Sequence, residues 1–222
     1  MNSASKWLLA SRPKTLPAAA APVLVGSAVA FWQYSFALVP ALVTLLTALL
    51  LQVAANLAND VFDYYRGVDV PERLGPIRVT ASGLLSPRQV VIGLVGVLGV
   101  ACLLGGYLFT VAGWPILVIG LSAIIAALAY TGGPFPYGYY GLGDLFVFVF
   151  FGPVAVMGTY YIQALTVNQE AFWASIPIGL ITVAILVVNN LRDIGTDRAT
   201  GKRTLAVRLG AQGTRIEYLV CL

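Results

Sequence analysis

Long apolar runs alternate with short polar connections along this chain. Six runs approach or exceed the roughly 20 residues that a helix needs to cross a bilayer. They fall at about 16–35, 37–62, 89–111, 114–131, 143–163 and 171–190. A seventh begins near Ile216 and is interrupted at Leu222, which predicts a longer protein of which part lies beyond this sequence. The first eleven residues are too short and polar for a secretory leader, so the first run is expected to remain as a helix. Residues 131–143, rich in glycine and proline, predict a non-helical connection. The pattern as a whole predicts an all-α fold, a polytopic transmembrane helical bundle, with residues 1–222 forming one membrane domain.

Composition agrees with the pattern. The chain is 59% hydrophobic and 10% charged, with mean hydropathy +0.87. Soluble domains carry about 25% charged residues. Cys102 and Cys221 lie in apolar segments without metal-ligand spacing, and no disulfide is assigned to them. There is no histidine, which removes the commonest general base and metal ligand. The placement of the basic residues is more informative than the net charge of +4. Lys6, Arg12 and Lys14 precede the first run. Arg66, Arg73, Arg78 and Arg88 fall between the second and third. Arg192, Arg198, Lys202, Arg203, Arg208 and Arg215 follow the sixth, and the alternate connections carry no Lys or Arg. Cytoplasmic loops are enriched in Lys and Arg, so this asymmetry predicts a cytoplasmic N-terminus in a cell membrane. The bilayer is the expected partner of these surfaces, and no nucleic acid is expected.

Two polar clusters stand out against this background. Between Arg88 and Arg192 the only formal charges are Asp144 and Glu170. The first cluster contains Asn56, Asn59, Asp60 and Asp63, followed by Gly67 and Asp69. The second contains Asn189, Arg192, Asp193 and Asp197, followed by Gly201, Lys202 and Arg203. Residues four apart share a helix face. Asn56 and Asp60 therefore point together with Asp63 near them, and Asn189, Asp193 and Asp197 form a matching ladder. The topology puts both faces at the cytoplasmic rim, where they can line one cavity. Ionisable groups at a membrane edge mark function by default, whereas Asp69 and Asp144 fit helix capping equally well. Mg²⁺ takes oxygen ligands and is held by one or two carboxylates plus substrate phosphates. The Asp and Asn side chains suit it; without His or paired Cys, zinc does not fit. Arg192, Lys202 and Arg203 are placed to contact phosphate oxygens. Acid, metal and base at the mouth of an apolar bundle fit a lipid diphosphate. Tyr130, Tyr137, Tyr139 and Tyr140 put aromatic rings near that rim, either as an interfacial belt or as part of the site.

These residues resemble the UbiA-type intramembrane prenyltransferases, and within them the 1,4-dihydroxy-2-naphthoate branch. The resemblance rests on Arg12-Pro-Lys-Thr-Leu-Pro17, Asn56 through Asp63 with Gly67-Val-Asp69, and Leu74-Gly-Pro-Ile-Arg78. It continues through Tyr130-Thr-Gly-Gly-Pro134, Tyr137 through Asp144, and Asn189 through Asp197 to Gly201 and Gly210. It implies about nine membrane helices around a central cavity, of which six and part of a seventh are in this chain. It also implies Mg²⁺-dependent transfer of a prenyl chain from its diphosphate to an aromatic acid, with loss of carbon dioxide when that acid is dihydroxynaphthoate. Asp60, Asp63, Asp193 and Asp197 would then hold Mg²⁺ against the diphosphate, with Asn56 and Asn189 completing or orienting the shell and Asn59 among the substrate-binding residues. Lys202 and Arg203 would stabilise the departing pyrophosphate. Tyr130, Tyr137 or Tyr140 would face the allylic cation. Arg12, Lys14 and Arg78 are the candidates for the acceptor's carboxylate. One departure stands out: many relatives carry a Tyr-x-x-x-Lys element after the fourth span, and here that loop has no Lys or Arg.

Other acceptors, 4-hydroxybenzoate or homogentisate, fit the same motifs. A transporter would place ionisable groups near the midplane, often in broken helices, but here they sit at one face. A CDP-alcohol phosphotransferase would pack its aspartates into one motif rather than two distant ones.

Overall fold

A computed structural model of the chain describes residues 1–69 and 75–222. Arg73 and Leu74, placed by the sequence in a basic loop and a shared motif, lie outside the described residues. Among the described residues every regular element is helical: α1 (Ser3–Ser11), α2 (Leu16–Trp32), α3 (Leu38–Tyr65), α4 (Pro87–Ala112), α5 (Trp114–Ala129), α6 (Gly143–Val149), α7 (Ala155–Ala164), α8 (Gln169–Ala199) and α9 (Leu205–Val220). Five units are long and apolar enough to cross a membrane: α1 with α2, α3, α4, α6 with α7, and α8. The helix α5 is apolar but only 16 residues long. Five of the six expected runs thus form helices of spanning length, the fourth run forms the shorter α5, and the protein is a multi-pass membrane protein.

Three expectations are refined. The polar start of the chain is itself a helix, α1, because the Asn2 side chain caps it by accepting from Ser5 N at 2.8 Å. Arg12, in the left-handed region at φ 50°, and Pro13 then break the helix before α2. The fifth span is interrupted by a π-turn at Phe150–Val154, where Pro153 withholds an N–H from the ladder. The last helix does not begin near Ile216 but at Leu205, where the Thr204 hydroxyl accepts from Val207 N. Gly210 (φ 71°, ψ 175°) kinks it. Amphipathic and 16 residues long, it is not among the helices that meet the length and hydropathy needed to cross a membrane.

Lipid-facing surface is plentiful. Leu42, Leu46, Ile92, Val95, Leu103, Leu121, Ile125 and Ile181 are all exposed. Trp32, Tyr34, Trp114 and Trp173 are exposed at the helix ends opposite the aspartates, as an aromatic belt at an interface. Association of helices in lipid rests on close packing of small residues. A Cβ on Gly26 of α2 would lie 2.5 Å from Val156 O of α7. Gly152 and Gly179 make the same close crossing between the π-turn and α8, where a Cβ on Gly152 would lie 3.1 Å from Gly179 Cα.

These crossings set an expected outcome. Gly26→Val forces α2 from α7 and should destabilise the folded protein in detergent by about 1–3 kcal/mol, the usual cost of overpacking. Gly99→Ala, whose added methyl meets nothing within 4 Å, should not lower the melting temperature, since alanine favours a helix interior over glycine. Equal melting temperatures for the two variants would contradict the packing described.

Candidate functional site

Helix length is what brings the polar groups together. At 1.5 Å per residue, the 28 residues of α3 and the 31 of α8 reach about 42 and 46 Å, beyond the ~30 Å of hydrocarbon. Their last turns overshoot the apolar core and carry the two clusters. The helix α8 continues unbroken past the end of its apolar run to Ala199, so Asp193 and Asp197 are helical, as their spacing required.

Between the helices lies a cavity of about 460 Å³. Its mouth is lined by Asn56, Asn59, Asp63, Arg78, Asn189, Arg192, Asp193, Asp197 and Lys202, together with Arg12, Thr15, Tyr130, Tyr137 and Tyr139. Its interior is apolar, with Pro22, Val23, Leu51, Leu108, Ile116, Phe150, Phe151 and Ile162. From Asp63 back to Thr44, both of which line it, α3 rises about 28 Å. The cavity is therefore a bore running most of the way through the bundle, charged at one end.

Asp63 is the centre of the mouth. It is fully buried, yet one carboxylate oxygen accepts from Arg78 at 2.8 Å and from Lys202 Nζ at 3.2 Å. The other accepts from the Tyr139 hydroxyl. Burial of such a charge is tolerable only with this degree of pairing. Arg78, itself buried, also meets Asp69 at 3.3 Å. In the second cluster Arg192 donates from Nε and Nη2 to the two carboxylate oxygens of the neighbouring Asp193, at 2.8 and 2.9 Å.

The asparagines tie the mouth together. Asn56 donates to Ser11 O and to Thr15 Oγ1, both at 2.9 Å, and so clamps α3 to the break between α1 and α2. Gln52, one turn earlier, reaches the same Thr15 hydroxyl and Asn56. Asn59 accepts from the Thr131 hydroxyl at 2.9 Å, anchoring the loop after α5.

Not every candidate faces the cavity. Asp60 is buried behind its wall, where its two oxygens accept from Val79 N at 3.0 Å and Thr80 N at 2.9 Å, with Arg12 at 3.8 Å. Lys14 and Arg203 have exposed side chains outside the lining; the Arg203 backbone N donates to Tyr139 O. Tyr140 is exposed and stacks on Phe135 at 4.5 Å. Tyr137 does line the bore, stacked on Phe146 at 4.1 Å, with its hydroxyl donating to Ala126 O. Tyr130 packs edge-on against it at 5.4 Å.

The loop after α5, which has no Lys or Arg of its own, receives them from elsewhere. Arg66 donates to the carbonyls of Thr131 and Gly133, at 3.0 and 2.6 Å. Arg208 donates to Tyr140 O. Lys202 Nζ lies 4.6 Å above the Tyr139 ring. The sequence places Tyr139 at the rim with its neighbouring tyrosines but has no pattern that singles it out from them. Gln52 had a signal: a polar residue in an apolar helix, four before Asn56.

A model of the UbiA prenyltransferase family matches residues 19–222. The chain belongs to the UbiA prenyltransferase family. It is 45% identical to the 1,4-dihydroxy-2-naphthoate octaprenyltransferase of Escherichia coli over 97% of this chain and 72% of that protein. It is 43% identical to the protein of that name from Mycobacterium tuberculosis, over 98% and 74%. It is 30% identical to the 2-carboxy-1,4-naphthoquinone phytyltransferase of Synechocystis, over 93% and 66%. As a member of this family the chain is a prenyltransferase enzyme, which removes the transporter and the phosphotransferase as readings. Reactions of the family are generally dependent on a divalent metal. Among the described residues no three His, Cys, Asp or Glu side chains converge tightly enough to hold an ion alone. The lining offers carboxylate and amide oxygens and no thiolate or imidazole. Such a donor set fits a hard cation that takes its remaining ligands from phosphate and water.

The position of Asp60 sets an expected outcome. Asp60→Ala leaves two buried N–H groups without acceptors and should destabilise the protein by roughly 1–3 kcal/mol for each. It should also open residues 75–85 to proteolysis. A variant with unchanged melting and protease resistance would show that Asp60 does not hold this segment.

Proposed function

We propose that the chain transfers a prenyl group from a prenyl diphosphate to 1,4-dihydroxy-2-naphthoate, with Mg²⁺, as a step of menaquinone or phylloquinone biosynthesis. The observation that carries this reading is the join of a charged mouth to a long apolar bore. A diphosphate head and a hydrocarbon tail need these two environments in one cavity. The names of the relatives from Escherichia coli, Mycobacterium tuberculosis and Synechocystis support the naphthoate acceptor.

Asp63, Asp193 and Asp197, with Asn189 beside them, are the residues that would hold Mg²⁺ at the mouth. A divalent ion held by these residues would supply positive charge against the developing charge of the departing pyrophosphate. Lys202 and Arg192, both in the lining, donate to phosphate oxygens. The bond between the allylic carbon and the diphosphate oxygen breaks, and pyrophosphate leaves with the electron pair. The rings of Tyr130 and Tyr137, which line the bore just inside the mouth, face the resulting cation and contribute about 0.5–2 kcal/mol per ring. The ring carbon that bears the acceptor's carboxylate attacks, forming the new carbon–carbon bond. The carboxylate then departs as carbon dioxide and its bonding pair restores the aromatic ring. The water-poor bore keeps the cation from being quenched.

Of the three cations considered for the acceptor's carboxylate, Arg12 fits best. Lys14 lies outside the lining, and Arg78 is held between Asp63 and Asp69. Arg12 lines the mouth beside Thr15 and Gln52, with the Asp60 carboxylate behind it at 3.8 Å, a looser contact than the 2.8 Å bond that ties Arg78 to Asp63. A cell-membrane location with the mouth toward the cytoplasm is supported by the basic residues gathered at that end, with none in the connections at the other.

In proteoliposomes, incubation with a prenyl diphosphate, Mg²⁺ and dihydroxynaphthoate should give a product lighter by one carbon dioxide than the simple adduct. Chelation should stop the reaction and added Mg²⁺ restore it. Asp63→Asn and Asp193→Asn should lower kcat by more than about a hundredfold, as for loss of a preorganised electrostatic group. Failure to prenylate any aromatic acid would sink the reading. Arg12→Gln should raise KM for the aromatic acid roughly tenfold or more, the worth of one charged hydrogen bond, and leave KM for the prenyl diphosphate unchanged. A shift confined to the diphosphate would move Arg12 to the other substrate.

A further inference from the structure

Tyr139 joins three segments that are distant in sequence. It sits in the short helical turn Tyr137–Tyr140, within the loop after α5. Its hydroxyl donates to the oxygen of Asp63 that Arg78 and Lys202 leave open. The face of its ring carries Lys202 Nζ at 4.6 Å, and the Arg66 guanidinium lies 5.5 Å from the ring centre. Its carbonyl accepts from Arg203 N at 2.9 Å, fixing the chain next to Lys202. Arg66 meanwhile pins the loop through Thr131 and Gly133.

We propose that Tyr139 is the positioning residue of the diphosphate site: one side chain sets the carboxylate of Asp63 and the ammonium of Lys202 at a fixed separation, so that both meet the metal–diphosphate head as a preassembled pair. A hydroxyl alone would orient Asp63 but leave Lys202 with only its 3.2 Å contact to that carboxylate. A bare aromatic ring would support Lys202 but leave one oxygen of Asp63 without its donor, the other still meeting Arg78 and Lys202. Tyrosine does both, and here it supplies what a loop without its own Lys or Arg lacks. Tyr139 itself forms no bond to the reacting carbon. The inference rests on the diphosphate reading of the mouth given above.

Two variants separate its two contacts. Y139F removes the bond to Asp63 and keeps the ring beneath Lys202; Y139L removes both. In the full chain, Y139F should raise the Mg²⁺ concentration for half-maximal rate roughly tenfold, the scale of a hydrogen bond to a charged group. Y139L should in addition raise KM for the prenyl diphosphate by about threefold to tenfold, the scale of a lost cation–π contact. KM for the aromatic acid should not move in either. Titration with magnesium pyrophosphate, followed by calorimetry, should show the same order of affinities: wild type, then Y139F, then Y139L. Changed melting with unchanged kinetic constants would leave Tyr139 a merely structural residue and overturn the proposal, as would a wild-type chain that binds no magnesium pyrophosphate. If Y139L does not fold, Y139F alone decides. Absence of any prenylated product, with the pyrophosphate order intact, would overturn the reaction proposed above but not the role of Tyr139.

Discussion

A fully buried carboxylate, Asp63, governs the polar end of this protein. Alone in that position it would be strongly unfavourable. It is tolerated because Arg78, Lys202 and Tyr139 surround it, each from a different segment. Meeting that requirement fixes how the end of α3, the segment before α4, the loop after α5 and the turn after α8 come together. The same charge holds the walls of that end in register. In the role proposed for it above, Asp63 would serve folding and chemistry through the same contacts.

The rest of the architecture supplies the apolar half. Small residues let α2, α7 and α8 approach closely, while the π-turn at Phe150–Val154 lies in the fifth span beside the bore that Phe150 and Phe151 line. Association driven by close packing, rather than by expulsion of water, suits helices already surrounded by lipid. The bore is thus walled by side chains that gain little by collapsing into it. A hydrocarbon tail entering it exchanges one apolar environment for another, and the charged mouth is left to supply orientation.

Much of this was legible from residue order. Helices, their approximate ends and the shared side of both aspartate clusters follow from hydropathy and from the distribution of Lys and Arg. The ladder Asn189, Asp193, Asp197 follows from helical spacing. What spacing does not reveal is which of several adjacent groups turns inward. Asp60 and Asp63 read as equivalents, yet Asp60 is taken by two backbone N–H groups of the following segment, a contact that depends on how a loop returns. Lys202 and Arg203 likewise read alike; a backbone bond from Arg203 to the loop after α5 leaves Lys202 as the one that points in. The capping of α1 by Asn2 and of α9 by Thr204 was available locally, but both caps lie in polar segments that hydropathy treats as connections.

The contacts of Asp63 also have a direction in time. Arg78 is 15 residues away in the chain, whereas Tyr139 is 76 and Lys202 is 139 away. A polypeptide emerges N-terminus first. The arginine is thus the earliest of these partners to become available, the tyrosine follows after two more spans, and the lysine arrives only once α8 is in place. A chain halted before the sixth span therefore holds an Asp63 already paired by Arg78 and Tyr139 but still without its lysine, and the groups proposed to meet phosphate come together only with α8.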